Sequence, residues 1–275
     1  MSLSVAIITF NEEHNLRRTL ESVRAIADEI VVVDSGSTDR TVEIAHECGA
    51  KVFVEPWKGY AAQKNSALEK CTGDWILSLD ADEIVSEELA AEIHAIVKAQ
   101  PSARECCLTT TSRDTSNESV RRGLTASPEG FYIARRNFFL GRWIKHGGFW
   151  PDAKLRLFRR GAARFENRLV HEDAKVSGAI GKLEGALLHY AYPTLEGYIA
   201  QMNRYSSLGA QMVAANGEHR FSVLKIVVRP AATFLYNYFS RLGFMDGREG
   251  LLLHLYHAVY VSWKYAKAWE LARRK

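Results

Sequence analysis

The sequence predicts an α/β fold, a mostly parallel sheet with flanking helices, followed by a helical extension. Three observations carry this. Over the first hundred residues, continuous apolar runs of strand length alternate with amphipathic helical patterns, as in sheets covered on both faces. After Pro101 the alternation gives way to strand-like runs around a polar stretch. From Leu195 onward the pattern is helical, aromatic and basic. At 275 residues and 47% hydrophobic content, the chain has enough apolar material for a large core.

The elements follow in order. LSVAIITF (3–10) is a strand, residues 12–26 a helix, EIVVVDSG (29–36) a strand, and residues 38–49 a helix that stops at a glycine. KVFVE (51–55) is a third strand, residues 60–71 a helix, WILSLDAD (75–82) a fourth strand, and residues 86–99 the next helix. Further strands are expected at 105–112 and 131–141, around a segment (113–130) with almost nothing to bury and the composition of a mobile loop or lid. Ligands of such sheets bind beyond the carboxyl ends of the strands, which brings residues 9–12, 34–39 and 80–83 to one edge.

Charge is unevenly placed. The whole chain carries +4, but residues 220–275 hold ten Lys or Arg against three acids, a net +7 that leaves −3 for the rest. The four cysteines (Cys48, Cys71, Cys106, Cys107) have no metal-ligand spacing and read as reduced thiols of a cytoplasmic protein. There is no basic n-region of a secretory signal and no charge-free apolar run of about 18 residues. Nucleic-acid binding is disfavoured, since the basic residues are interleaved with large apolar ones. A dinucleotide-dependent dehydrogenase is disfavoured because no G-x-G-x-x-G follows the first strand.

The most chemical stretch is LDADE (79–83). Two carboxylates one residue apart at the end of an apolar strand repel unless a cation lies between them. In an extended segment Asp80 and Asp82 point the same way, toward one hard divalent cation (Mg2+ or Mn2+) and the phosphates it would carry. The alternative is that Asp82 or Ser86 caps the following helix. In TFNEE (9–13), Thr9 and Glu12 have the spacing of a capping box. In VVVDSGSTD, Asp34 ends a strand at the cleft, where a carboxylate accepts from a base N–H or a ribose hydroxyl. Lys64, in QKN, is expected to pair with Asp34, to approach a phosphate, or to face solvent.

Together and in this order, TFNE, DSGSTD, KN and GDWILSLDAD resemble the family 2 glycosyltransferases of the GT-A fold, over roughly residues 3–100. RRNFFLGRWIKHGGFWPDAKLRLFRR and NRLVHED resemble the subgroup that glucosylates the inner core of bacterial lipopolysaccharide. The resemblance implies a nucleotide-sugar donor, usually a UDP-sugar, and transfer with inversion. It implies a nucleoside pocket of Thr9, Asn11, Glu12, Asp34 and Lys64, with Asp80 and Asp82 serving the metal. The implied organisation is a catalytic domain over 1–193 (nucleotide-sugar half 1–100, acceptor half 101–193) and a helical, basic extension over 194–275.

Single inverting displacement needs a carboxylate to take the acceptor's proton from the face opposite the diphosphate. Asp80 and Asp82 lie on the leaving-group side, so the base must come from the second half. Glu172 is favoured, because the family places an acid near this point, with Asp152 and Asp173 as alternatives. Arg156 is expected at the donor diphosphate or a phosphorylated acceptor, whereas Arg159 and Arg160 read as solvent-facing. Trp143 and Trp150 are stacking platforms or core, and His189 reads as structural. Residues 221–244 and 251–269 mix aliphatic, aromatic and basic side chains, the composition of helices lying on anionic bilayers.

The expectation is therefore a cytoplasmic enzyme, peripheral on the inner face of a bacterial inner membrane, acting on a lipid-linked saccharide, with oligomerisation open. Two rivals stand beside it. A Mg-dependent phosphohydrolase would use Asp34 as nucleophile but lacks the second aspartate at position 36, which is glycine. A non-catalytic membrane scaffold would bind nucleotide without turnover.

Overall fold

The computed structural model describes residues 1–99, 128–166, 174–217 and 220–273. The strand expected at 105–112 and positions 113–127 of the expected loop lie outside them.

The elements of the first half are β1 (Leu3–Thr9), α1 (Leu16–Val23), β2 (Glu29–Asp34), α2 (Thr41–Glu47), β3 (Lys51–Val54), α3 (Tyr60–Lys70), β4 (Trp75–Asp80), β5 (Glu83–Val85) and α4 (Glu87–Lys98). Then come β6 (Gly130–Phe139), β7 (Arg142–Trp143), β8 (Asp152–Arg159), β9 (Ala163–Phe165), β10 (Ala174–Val176), β11 (Ile180–Tyr192), α5 (Leu195–Ala215), α6 (Arg229–Leu235) and α7 (Gly247–Arg273). Among the described residues, nine strands form one sheet in the order β3-β2-β1-β4-β8-β6-β11-β5, with β7 on β6, and β9 pairs β10 apart from it.

The pairs β1–β2, β2–β3 and β1–β4 are parallel, as expected for the first hundred residues. Beyond β4 the sheet is mixed, because β8 runs antiparallel to both β4 and β6. β11 is parallel to β6, and β5 antiparallel to β11. The carboxyl ends of β1, β2, β4, β6 and β11 thus share an edge with the amino end of β8.

Period-2 alternation sorts side chains to the two faces. Leu3, Val5 and Ile7 join Leu16, Leu20, Leu89 and Ile93 on one side, while Ala6, Val31 and Val33 join Ala61, Ala67 and Leu68 of α3 on the other. A third cluster, with Phe139, Ile144, Tyr198, Met202 and Leu253, fastens α5 and α7 to the β6 end.

Helix starts differ from the expected ones. α1 begins at Leu16 rather than near residue 12, because Asn11 has φ +55° and the chain turns before winding. The capping box does not form: Thr9 Oγ1 donates to Asp34 (2.9 Å) instead. Asp39 holds the start of α2, accepting from Thr41 N at 3.0 Å. Ser86 caps α4, accepting from Leu89 N, which leaves Asp82 free of that duty.

In the extension, α6 is flanked by two wider helical turns, Leu224–Val228 and Tyr236–Ser240. The first precedes Pro230, whose ring would clash with a regular preceding turn. Phe221, Leu224, Val227, Leu235, Phe239, Leu242 and Met245 are exposed there. No helix among the described residues is long and apolar enough to cross a membrane.

Candidate active site

The edge where β1, β2 and β4 end gathers nearly every residue singled out in the first half. Asp34 is fully enclosed. Its carboxylate accepts from Thr9 Oγ1, Gly36 N, Ser37 N and Ser37 Oγ. It therefore organises the loop after β2, and in this conformation no oxygen is turned outward to a ribose or base. Asn11 Oδ1 accepts from Thr38 N (2.9 Å) and ties that loop to the end of β1. Glu12 accepts from Asn15 (2.9 Å). Burial pushes the Glu12 carboxyl up, the Asn15 bond opposes this, and the charges of Asp82, Asp39 and Asp80 add to the rise.

The turn after β4 is built from its own residues. Asp80 N donates to Glu83 Oε2 (2.9 Å), Thr19 Oγ1 of α1 donates to Ala81 O (2.7 Å), and Tyr190 N of β11 donates to Asp82 O (3.1 Å). Because β4 ends at Asp80 and residues 81–82 turn, the extended-chain expectation that Asp80 and Asp82 face one cation together is corrected. They turn to different partners.

Asp80 meets cations of the protein itself. Lys64 Nζ lies 2.8 Å from its Oδ1 and Arg156 Nη2 2.5 Å from its Oδ2. Burial alone would raise this carboxyl, but Arg156, Lys64 and Arg135 hold it well below the usual carboxylate range. Lys64 thus pairs with Asp80, not with Asp34. Arg156 is buried and also contacts Glu83 Oε1 (2.6 Å), so the expectation of a guanidinium turned to a phosphate is corrected as well. Its pKa lies above the ordinary arginine value, the two carboxylates outweighing burial.

Glu83 and Arg135 complete the network. Glu83 is 0% exposed, and its Oε1 also lies 3.2 Å from Arg135 Nη1. Arg135 reaches Asp152 through Nε (2.9 Å) and Nη2 (2.5 Å), with Asn137 Nδ2 at 3.3 Å and Lys154 Nζ at 3.6 Å. Burial would raise the Asp152 carboxyl, but Arg135 leads the effects that depress it. A carboxylate so held is a poor proton acceptor. Glu172 and Asp173, the other base candidates, lie outside the described residues.

Asp82 stands at the open side of this network. Its Oδ2 lies 3.3 Å from His189 Nε2, while His189 Nδ1 is 2.6 Å from Asn137 Oδ1. The Asn137 amide nitrogen is turned to Phe149 O and Asp152, so its carbonyl faces the ring and both imidazole nitrogens meet acceptors. Burial would lower the His189 pKa, but Asp82 outweighs it and the net shift is upward. His189 thus bridges Asp82 and Asn137 at this edge.

Among the described residues, no group of three or more His, Cys, Asp or Glu is gathered to hold a metal. A magnesium-type ion nevertheless needs only one or two carboxylates when substrate phosphates and water supply the rest. Asp82 fits that requirement, being unused by helix capping and with its side chain 22% exposed beside an imidazole.

Arg135, Glu83 and Asn137 had not been singled out. Glu83 was visible as the acid directly after the aspartates. Arg135 and Asn137 carry no local signal, since their roles arise only when β6 and β8 line up beside β4.

The model of "Glycosyl transferase family 2" matches residues 4–164. The chain belongs to glycosyltransferase family 2. Its sheet is the GT-A-like mixed sheet with flanking helices, followed by a helical region. Within family 2 it is 31% identical over 277 residues to the lipopolysaccharide core biosynthesis glycosyltransferase LpsC of Rhizobium meliloti, covering 98% of this chain and 93% of that protein. It is 32% identical over 283 residues to an uncharacterized glycosyltransferase of Rickettsia typhi, covering 98% and 87%. Among solved structures it matches the glucosyl-3-phosphoglycerate synthase of Mycobacterium tuberculosis, crystallised with Mn2+, UDP and glucosyl-3-phosphoglycerate. That match has 29% identity and a TM-score of 0.28 over 30% of this chain and 34% of that one.

Proposed function

We propose that this glycosyltransferase moves a hexose, glucose by subgroup resemblance, from a UDP-sugar to a lipid-linked saccharide, an inner-core heptose of lipopolysaccharide, with inversion and with a divalent cation. The observation that carries the reading is Asp82, a carboxylate released from capping and presented beside His189 where the loops after β1, β2 and β4 converge. Near full-length similarity to a lipopolysaccharide core glycosyltransferase supports the acceptor class.

Asp82 would hold the cation, with His189 fixing the carboxylate, and Thr9, Asn11, Glu12 and the loop organised by Asp34 would receive the nucleoside. The cation, when bound, supplies positive charge against the departing diphosphate. Asp80 with Lys64 and Arg156, and Asp152 with Arg135, stiffen the floor of the site. The acceptor oxygen forms a bond to the anomeric carbon as the bond to the diphosphate breaks, and Glu172 takes the acceptor's proton. Asp152 is set aside as base by its pairing with Arg135, and Asp173 remains the alternative.

The exposed apolar residues of the 221–245 segment, with Lys225, Arg229 and Arg241 among them, support peripheral binding at the cytoplasmic face of the inner membrane. The phosphohydrolase alternative is disfavoured because Asp34 is enclosed by four donors and cannot attack.

Calorimetric titration of UDP, GDP and UDP-glucose, with and without Mn2+, tests the reading on wild type and Asp82→Asn. Metal-dependent UDP binding that is lost in Asp82→Asn supports it, and absence of nucleotide binding by folded protein ends it. Glu172→Gln is expected to lower turnover by about 10²–10⁴-fold with UDP binding retained.

A further inference from the structure

Where the segment after β7 meets the C-terminal helices, a cavity of about 460 Å³ opens, with Lys145, His146, Gly148, Trp150, Ser240 and Arg241 in its wall. Among the described residues, no carboxylate lines it. This sets it apart from the floor of the active site, where Lys64, Arg135 and Arg156 each lie against an acid. Among the described residues, Arg241 has no carboxylate partner, and its guanidinium lies 5.1 Å from the centre of the Tyr236 ring. Lys145 Nζ likewise lies over an aromatic ring, 4.5 Å from that of Trp143, and pairs with no acid among the described residues.

Asp246, the acid bound to the backbone of this wall, is committed there. Asp246 is buried and accepts from Lys145 N (3.2 Å) and His146 N (2.8 Å), with His146 Nδ1 at 3.0 Å. It fixes the backbone of the cavity wall and leaves the two side-chain cations unneutralised. The wall is shaped to bring Arg241 in. Gly147 N donates to Arg241 O (2.8 Å). Gly148 has φ +88°, and a Cβ there would stand 2.1 Å from Arg241 Nη1, so only glycine admits the guanidinium.

Trp150 supplies an apolar face and stacks edge-on against Trp143 at 5.4 Å. It lies two residues before Asp152, no more than about 7 Å of chain from the floor of the active site. A ligand seated on Trp150 therefore borders the place where transfer would occur.

We propose that this cavity is an acceptor subsite for a saccharide carrying a phosphate or carboxylate group, the anion held by Arg241 and Lys145 and a sugar ring lying on Trp150. Arginine's forked donors suit such oxyanions. The inference rests on the glycosyl-transfer reading and narrows its acceptor to an anionic saccharide.

The test is binding of mannose 6-phosphate, glucuronate, mannose and inorganic phosphate to wild type, Lys145→Gln and Arg241→Gln, with UDP and Mn2+ titrated in parallel. Both side chains are exposed, so both variants are expected to fold. Mannose 6-phosphate or glucuronate should bind more tightly than mannose or free phosphate, and each substitution should weaken that binding by about tenfold. Gly148→Ala, which displaces the guanidinium, should act in the same direction. UDP binding should match wild type in all three.

Equal binding of mannose and its phosphate, or indifference of the charged sugars to all three substitutions, would overturn the proposal. So would an effect confined to phosphatidylglycerol vesicles, which would assign the cations to a lipid headgroup. UDP binding separates the two failures: if it persists while the sugar phosphate is ignored, only the subsite is wrong. If it too is absent, the transferase reading fails.

Discussion

Replacing Glu83 by glutamine tests the charge network with almost no change of shape. The wild-type carboxylate offers Oε1 to Arg156 and Arg135 and Oε2 to the amide of Asp80. Glutamine has one acceptor and one NH2 group for these positions. Whichever way it turns, a donor faces a donor, and two buried guanidinium groups lose one of their shared negative charges. Removing one partner of a buried ion pair costs about 3–5 kcal/mol. Unfolding entropy of about 2.1 cal/mol/K per residue over 275 residues is about 0.6 kcal/mol/K, so the melting midpoint should fall by about 5–9 °C. Circular dichroism melts of the two proteins in one buffer decide this. A drop smaller than about 2 °C would mean that Glu83 is not a required counter-charge and would refute the network as the floor of the site.

A second carboxylate gives a pH prediction. Glu29, for which burial is outweighed by bonds from Lys51, Ser4 and Thr72, is lowered from 4.5 to about 2. The unfolded chain takes up this proton first, so the contribution is present above pH 4.5 and lost as pH falls toward 2. Urea midpoints should therefore depend less on pH across that window in Glu29→Gln than in wild type; parallel curves would contradict this. Gly185 of β11 lies against the start of α4, and a Cβ there would stand 2.5 Å from Leu89 Cα. Gly185→Ala should cost about 1–3 kcal/mol by urea unfolding, and an unchanged midpoint would show that α4 is free to shift.

How much of this was legible differs between the halves for a physical reason. β1, β2 and β4 are buried on both faces and read as unbroken apolar runs, so the parallel core and its four helices were recoverable. β8 and β11 also lie in the sheet but carry charged and polar side chains into the cleft, so KLRLFRR and GKLEGALLHYAY lack that signature. Arg156 was expected to meet a phosphate, but it is paired within the protein. Its actual partners, Asp80 and Glu83, lie more than 70 positions earlier. The contact between His189 and Asp82 was hidden for the same reason, because the two become neighbours only when β11 folds beside β5. Helix starts were misjudged where side-chain oxygens had better partners across the loop, as with Thr9 and Asp34.

The position of β8 beside β4 has a consequence during synthesis. A ribosome completes Asp80 and Glu83 well before Arg135 and Arg156 are translated, and until then Lys64 is the one cation of the network available to two acids destined for the interior. The amino-terminal portion is also missing the strand that flanks its central one. It therefore cannot reach its final state as an early cotranslational unit, although its pattern reads as a self-sufficient βαβ array. The sheet closes only when the later strands arrive, and a chain stalled near residue 100 would present β4 as an open edge to chaperones.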